Sequence, residues 1–262
     1  MNSHTQVIAQ TFMLALSFGT QLFGPVVNTR LTGVGFYKLG ISIVLASLVF
    51  AFGLDFFMQP RLTNLEFGYY AILIATNVVG YIAHRDEKTW PMWLLYTVQV
   101  MVFILLIFIS QHGQNEFNPS RVQFFFMTAL LLGISNYAMI LGHYYLVVPK
   151  LSEEPLIYTL YIFWISLFIK LTFSLTTLVW MAPTYLQEGA TAGDGYMYNW
   201  LFVSMRYLWG YLAPLVLSFF TFKLCKLRSL QSATGVLYIV EFFVIVGELI
   251  SIYLVSQHGL IL

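Results

Sequence analysis

The chain has 262 residues, of which 59% are hydrophobic, 18% aromatic and only 9% charged. Soluble domains carry about 25% charged residues, so this composition excludes a protein that wets its whole surface. A net charge of +1 gives no electrostatic footprint for nucleic acid, and a single cysteine, Cys225, excludes an internal disulfide or a multi-cysteine metal site.

Apolar runs of about twenty residues, the length that crosses a ~30 Å hydrocarbon core, recur along the chain. They predict spans over 6–27, 37–57, 65–83, 91–110, 122–148, 156–181, 200–222 and 233–255. The first run lacks a basic leader and an Ala-x-Ala site, so it reads as a retained helix. Pro25 and Asn28 close it, and "HRDEKTWP" (84–91) divides the third span from the fourth. "NEFNPSR" (115–121) opens the fifth, and Ser152 followed by "EEP" caps the sixth with acidic first-turn residues. The stretch "APTYLQEGATAGDGYMYNW" (182–200) reads as the longest outer loop, an interfacial aromatic belt or a docking surface for an outer partner.

Lysine and arginine in short loops set orientation. Arg30, Lys38, Arg85, Lys88, Lys150, Lys223, Lys226 and Arg228 fall in odd-numbered loops, against Arg61 and Arg121 in even-numbered ones. The termini are therefore expected on the outer, periplasmic side of a bacterial inner membrane.

The tetrapeptide Ser-Gln-His-Gly occurs at 110–113 and again at 256–259. Its neighbourhoods match too. Each preceding span opens with Leu-Tyr, followed three residues later by Gln99 or Glu241. "FGTQLFGPVV" (18–27) likewise rhymes with "LGHYYLVVPK" (141–150). The fold expected is an all-α integral membrane protein of eight helices in two parallel four-helix repeats, 1–116 and 117–262. His112 and His258 would then share one depth at the outer face, where paired histidines could hold a haem or a metal. The same phrase also fits two helix C-termini, with histidine at the negative end of the dipole and glycine as cap.

Ionisable side chains inside a bilayer cost several kcal/mol unless paired, so each marks a candidate site. Lys170, Arg206, Glu241 and Glu248 lie deep in the predicted spans. At ~1.5 Å per residue, Lys170 and Glu248 rise about 22 Å above the cytoplasmic boundary, with Arg206 in the same outer half. Glu241 comes at about 12 Å and His143 at about 9 Å. Glu241 and Glu248, seven apart, share one helix face. The first repeat offers neutral counterparts, Gln21, Asn77 and Gln99. The polar set reads either as a buried ion network locking helices together, or as a proton relay or ligand-cavity lining. "GYLAP" (210–214) would kink the seventh span beside it, because Pro214 lacks a backbone donor.

In plan, four-plus-four helices with paired histidines resemble the haem A synthases. The resemblance is confined to architecture, since that family carries histidines inside both bundles and the first bundle here has none inside. Lys170 is the single intramembrane lysine, and its place on the sixth span differs from the last-helix lysine of microbial rhodopsins. P-loop, HExxH, GxSxG and Asp-rich motifs do not occur. The functional expectation is a membrane subunit of an electron-transfer complex with a quinone or haem as cofactor. Its partners would be the lipid bilayer and other membrane or periplasmic subunits. The alternatives are a small-solute or proton-coupled transporter with its site between the repeats, and a structural subunit.

Overall fold

The structure, a computed structural model, describes residues 3–26, 32–58, 64–83, 90–112, 119–148, 152–191 and 195–262. Among these, all regular structure is helical: α1 (Ser3–Phe23), α2 (Val34–Met58), α3 (Asn64–Ala83), α4 (Trp90–His112), α5 (Pro119–Val147) and α6 (Glu154–Thr191). Span seven follows as α7 (Gly195–Tyr207), a π-helical turn (Leu208–Leu212) and α8 (Ala213–Lys226), before α9 (Leu230–His258).

Local chemistry explains the ends. Gly24 and Pro25 stop α1 in a turn closed by Gly24 N–H to the Gln21 carbonyl at 3.1 Å. The Ser152 hydroxyl accepts the Glu154 N–H at 3.3 Å and caps α6. α9 ends at Gly259 in the left-handed conformation, φ +66°, its N–H returning to the last turn.

Among the described residues, six helices are long and apolar enough to cross a membrane, and α4 holds a shorter apolar stretch, Trp93–Phe108. α1 is 21 residues long but spends buried positions on Gln6, Ser17, Thr20 and Gln21. This is a helical protein of membrane-embedded composition. The expected loop at 182–200 is corrected: α6 continues to Thr191 and α7 begins at Gly195. "TYLQEGAT" is rich in residues of good or fair helix propensity, which outweighed its polarity.

α5 is the central helix, packed against α1, α2, α6 and α9, while α3 and α4 pack on each other at the side of α2. Two crossings use glycine for close approach, the usual device where lipid gives no hydrophobic drive between helices. A Cβ on Gly133 of α5 would lie 2.2 Å from the Gly19 carbonyl carbon of α1, and one on Gly247 of α9 would lie 2.3 Å from Gly210 Cα in the π turn. The α5–α9 seam is antiparallel with a seven-residue step. Thr234 Oγ1 donates to the Gly142 carbonyl at 2.8 Å, Ser135 neighbours Glu241, and Thr128 neighbours Glu248. Each step is ~10.5 Å along the axis.

Candidate functional site: a buried ion network and a polar seam

Four elements bring Lys170, Arg206 and Glu248 together. Lys170 Nζ on α6 is paired with Glu248 Oε2 on α9 and donates to Thr128 Oγ1 on α5 at 2.7 Å. Arg206 on α7 donates from Nη2 to Glu248 Oε1 at 3.1 Å and to the Tyr211 hydroxyl at 2.7 Å. Its guanidinium lies 4.2 Å from the Tyr211 ring centroid, and Lys170 Nζ 5.1 Å from that of Phe124. The three charged side chains are at most 1% exposed. Burial of this kind repays its desolvation only when every partner is present, and removing one partner typically costs about 3–5 kcal/mol.

The network holds two cations against one carboxylate. Arg206 keeps Nε and Nη1 without a hydrogen-bond partner, so Glu248 does not exhaust the guanidinium's donors. The π turn is the local device that brings Tyr211 to this point. Pro214 cannot donate, and the ladder widens so that Ala213 N–H reaches Leu208 O, five residues back. Tyr207, at the edge of the turn, shares a 2.9 Å hydrogen bond with Ser174 of α6.

Glu241 is not part of the triad. It lies two turns away on the same face of α9, 6% exposed, with Oε2 unpartnered and Ser135 as its hydrogen-bonding neighbour. His143 differs from expectation more sharply. Its side chain is exposed on the outside of the bundle near the end of α5, where Nδ1 shares a 2.9 Å hydrogen bond with the Tyr238 hydroxyl of α9. Four residues before the end of a helix, the ring points outward because α9 fills the inner face at Gly142.

In the first four helices Gln21 Nε2 donates to Gln99 Oε1 at 2.5 Å, joining α1 to α4, and Gln99 Nε2 has no partner. Asn77, fully buried, donates to the Leu73 carbonyl within α3, and its Oδ1 is unpartnered. Sequence reading missed a further group: Asp55 Oδ2 on α2 accepts from Gln10 Nε2 at 2.7 Å and from the Tyr70 hydroxyl at 3.0 Å. Its signal was an acid within "FGLDFFM", one turn inside a span end. Tyr211 and Tyr238 were missed because nothing distinguishes them among 17 tyrosines.

Both Ser-Gln-His-Gly helices end on their histidine: α4 at His112 and α9 at His258. The His112 side chain and Gly113 lie outside the described residues. His258 is exposed, its ring 6.1 Å from that of Tyr253. α4 packs mainly on α3, and α9 on α5 and span seven. No group of three or more His, Cys, Asp or Glu side chains suited to a metal occurs among the described residues. No family model matches the chain, and neither a curated protein nor a solved structure matches it.

Proposed function

We propose that the chain is a multi-pass protein of the bacterial inner membrane, the membrane subunit of a quinone- or haem-associated electron-transfer complex. The observation that carries this reading is the His143–Tyr238 pair. It is a hydrogen-bonded imidazole and phenol on the membrane-facing surface, one turn along α9 from Glu241 and three from Glu248. A quinone headgroup arriving through lipid would meet a donor and an acceptor there, with protonatable groups running inward behind them.

The proposed frame is eight crossings in two parallel units, 1–116 and 117–262, with periplasmic termini. Corresponding contacts support it. Gln21 of the first helix meets Gln99 of the fourth, and Ser135 of the fifth span meets Glu241 of the eighth. α4 and α9 stop at the same residue of the same phrase. Orientation rests on the lysine and arginine count. Leu262 is 1% exposed and accepts from Ser251, so a fusion behind it would displace a buried contact. A thiol at the exposed Arg228 serves better: Arg228→Cys in a Cys225→Ser background should react with an impermeant maleimide only from the cytoplasmic face. Labelling from the outer face would invert the topology.

For the redox reading, purified protein should bind a short-chain quinone. His143→Ala and Tyr238→Phe should each weaken that binding roughly tenfold, the worth of about one hydrogen bond. A bound haem would absorb in the Soret region and respond to dithionite, with the signal lost in His112→Ala or His258→Ala. A colourless protein that ignores quinones would overturn the reading and leave a transporter or a structural subunit.

One observation favours transport as the second reading: the π turn interrupts span seven beside the ion network, and broken helices often frame intramembrane binding sites. Solute uptake into proteoliposomes driven by a pH gradient, lost in Glu248→Gln, would select it.

A further inference from the structure

We propose that Glu241 is a proton-binding site: a neutral carboxylic acid in the resting protein that exchanges its proton along α9 with the Tyr238–His143 pair. The proposal deepens the reading above, but rests on it only for where the proton goes.

Four observations converge on it. Glu241 is buried on α9, and Oε2 has no partner. An ionised carboxylate accepts at both oxygens and, away from water, needs a cation or several donors to persist. None is supplied. Lys170 and Arg206, from α6 and α7, are both committed to Glu248, and Tyr211 of the π turn is bound to Arg206. On α5 the nearest polar group is Ser135, and His143 is engaged with Tyr238. Of the remaining helices against α9, α8 carries its charges, Lys223 and Lys226, in its last turn, and α1 brings amides and hydroxyls near this level, with Gln21 bound to Gln99 and Thr20 accepting from Asn136 at 2.9 Å. Glu241 and Glu248 thus sit in opposite electrostatic settings on one helix face.

An exit is built in. Tyr238 precedes Glu241 by three residues, the spacing that puts two side chains side by side on a helix. Tyr238 is 46% exposed, and its hydroxyl reaches the exposed His143 ring. A proton leaving the Glu241 carboxyl would pass to the imidazole by way of the phenol, which takes one proton as it gives another and is unchanged overall. On the other side, seven residues along, lies the Glu248 network, whose two cations are held by Glu248.

Infrared difference spectroscopy of the full-length protein in lipid gives the test. Stepping the pH upward should remove a protonated-carboxyl C=O band. That band should be absent in Glu241→Gln, shifted in Glu241→Asp and retained in Glu248→Gln. In His143→Ala the band should stay but its loss after a pH jump should slow severalfold. Apolar carbodiimide supplies a second readout. It adds to a protonated carboxyl, whose proton moves to a carbodiimide nitrogen, leaving an acylurea of reagent mass on the Glu241 peptide and none on the Glu248 peptide. A wild-type spectrum identical to that of Glu241→Gln at every pH overturns the proposal, as does an adduct on Glu248 in place of Glu241. Quinone binding is measured separately, so its absence would remove the quinone reading and leave the proton site standing.

Discussion

The first four helices and the last four solve the same problem, polar side chains inside apolar spans, with different chemistry. Gln21 and Gln99 meet as neutral amides and join two helices, α1 and α4. Lys170, Arg206 and Glu248, with Thr128 and Tyr211, meet as ions and tie α5, α6, span seven and α9 into one unit. An amide pair is cheap to bury and forgiving to lose. An ion network is neither, because each partner removed leaves a charge that neither lipid nor packing can solvate. Even Asp55, an acid near the end of α2, is answered by a neutral amide and a phenol. Stability concentrated in the second half, and dependent on charge, is the consequence.

The sharpest way to break this contrast is Glu248→Gln. It keeps shape and removes the one anion between two buried cations, and should cost about 3–5 kcal/mol in unfolding from micelles. Lys170→Met should be destabilising alone, yet the double variant should recover part of the Glu248→Gln loss, because the methionine removes an orphaned cation. Strict additivity in that cycle would mean that Lys170 and Glu248 are not coupled and that the network is no unit. Gln99→Leu, the matching lesion in the first half, leaves only the Gln21 amide unpaired and should cost about 1–3 kcal/mol.

How much of this was legible before the structure follows from what each feature depends on. Helix positions were readable because apolar run length is a property of the chain alone, and Gly24-Pro25 and Gly259 mark ends by local backbone chemistry. The company of Lys170, Arg206 and Glu248 was readable because depth follows from counting residues. The side on which a residue faces does not. His143 was counted to an inner level and lies on the outer surface, since only packing against α9 decides where its ring points. The two glycine crossings stayed hidden for the same reason. Gly19 meets Gly133 and Gly210 meets Gly247, partners that no local pattern marks. The extension of α6 past 182 was misread because polarity says loop while propensity says helix, and the second prevailed.

The join between the two halves can be tested at that glycine contact. Gly133→Ala puts a methyl 2.2 Å from the Gly19 backbone, and with backbone on both sides neither helix can give way cheaply. Overpacking of this kind costs about 1–3 kcal/mol. Gly40→Ala is the control: its Cβ would meet nothing within 4 Å, and trading glycine for alanine in a helix should gain about 0.5–1 kcal/mol. If both substitutions behaved alike, α1 and α5 would not cross in contact, and the halves would be joined elsewhere.

The smallest effect separates two helix ends of the second half. α8 and α9 both close on a left-handed residue but with different backbone bonds, Arg228 N–H to Cys225 O and Ser229 N–H to Leu224 O in one, Gly259 N–H to Val255 O and Leu260 N–H to Leu254 O in the other. The left-handed residue is glycine at 259, φ +66°, but arginine at 228, φ +55°. Arginine there accepts backbone strain and in return its Nε meets Glu153 Oε1 at 3.1 Å, clipping the α8–α9 turn to the start of α6. Arg228→Ala loses that contact and keeps the strain, while Arg228→Gly loses the contact and releases it. The glycine variant should therefore be the more stable of the two by about 1 kcal/mol. Glu153's own backbone N–H, and then the Arg228 guanidinium, hold the Glu153 carboxyl below the usual carboxylate range. Its contribution is present above the unfolded carboxyl range and fades as pH falls through the lower folded value. Both variants should flatten that acid limb partway, because the backbone donor remains when arginine is gone. An acid limb unchanged in Arg228→Ala would mean that the ion pair does not form in solution, and that glycine was forgone at 228 for nothing the pair provides.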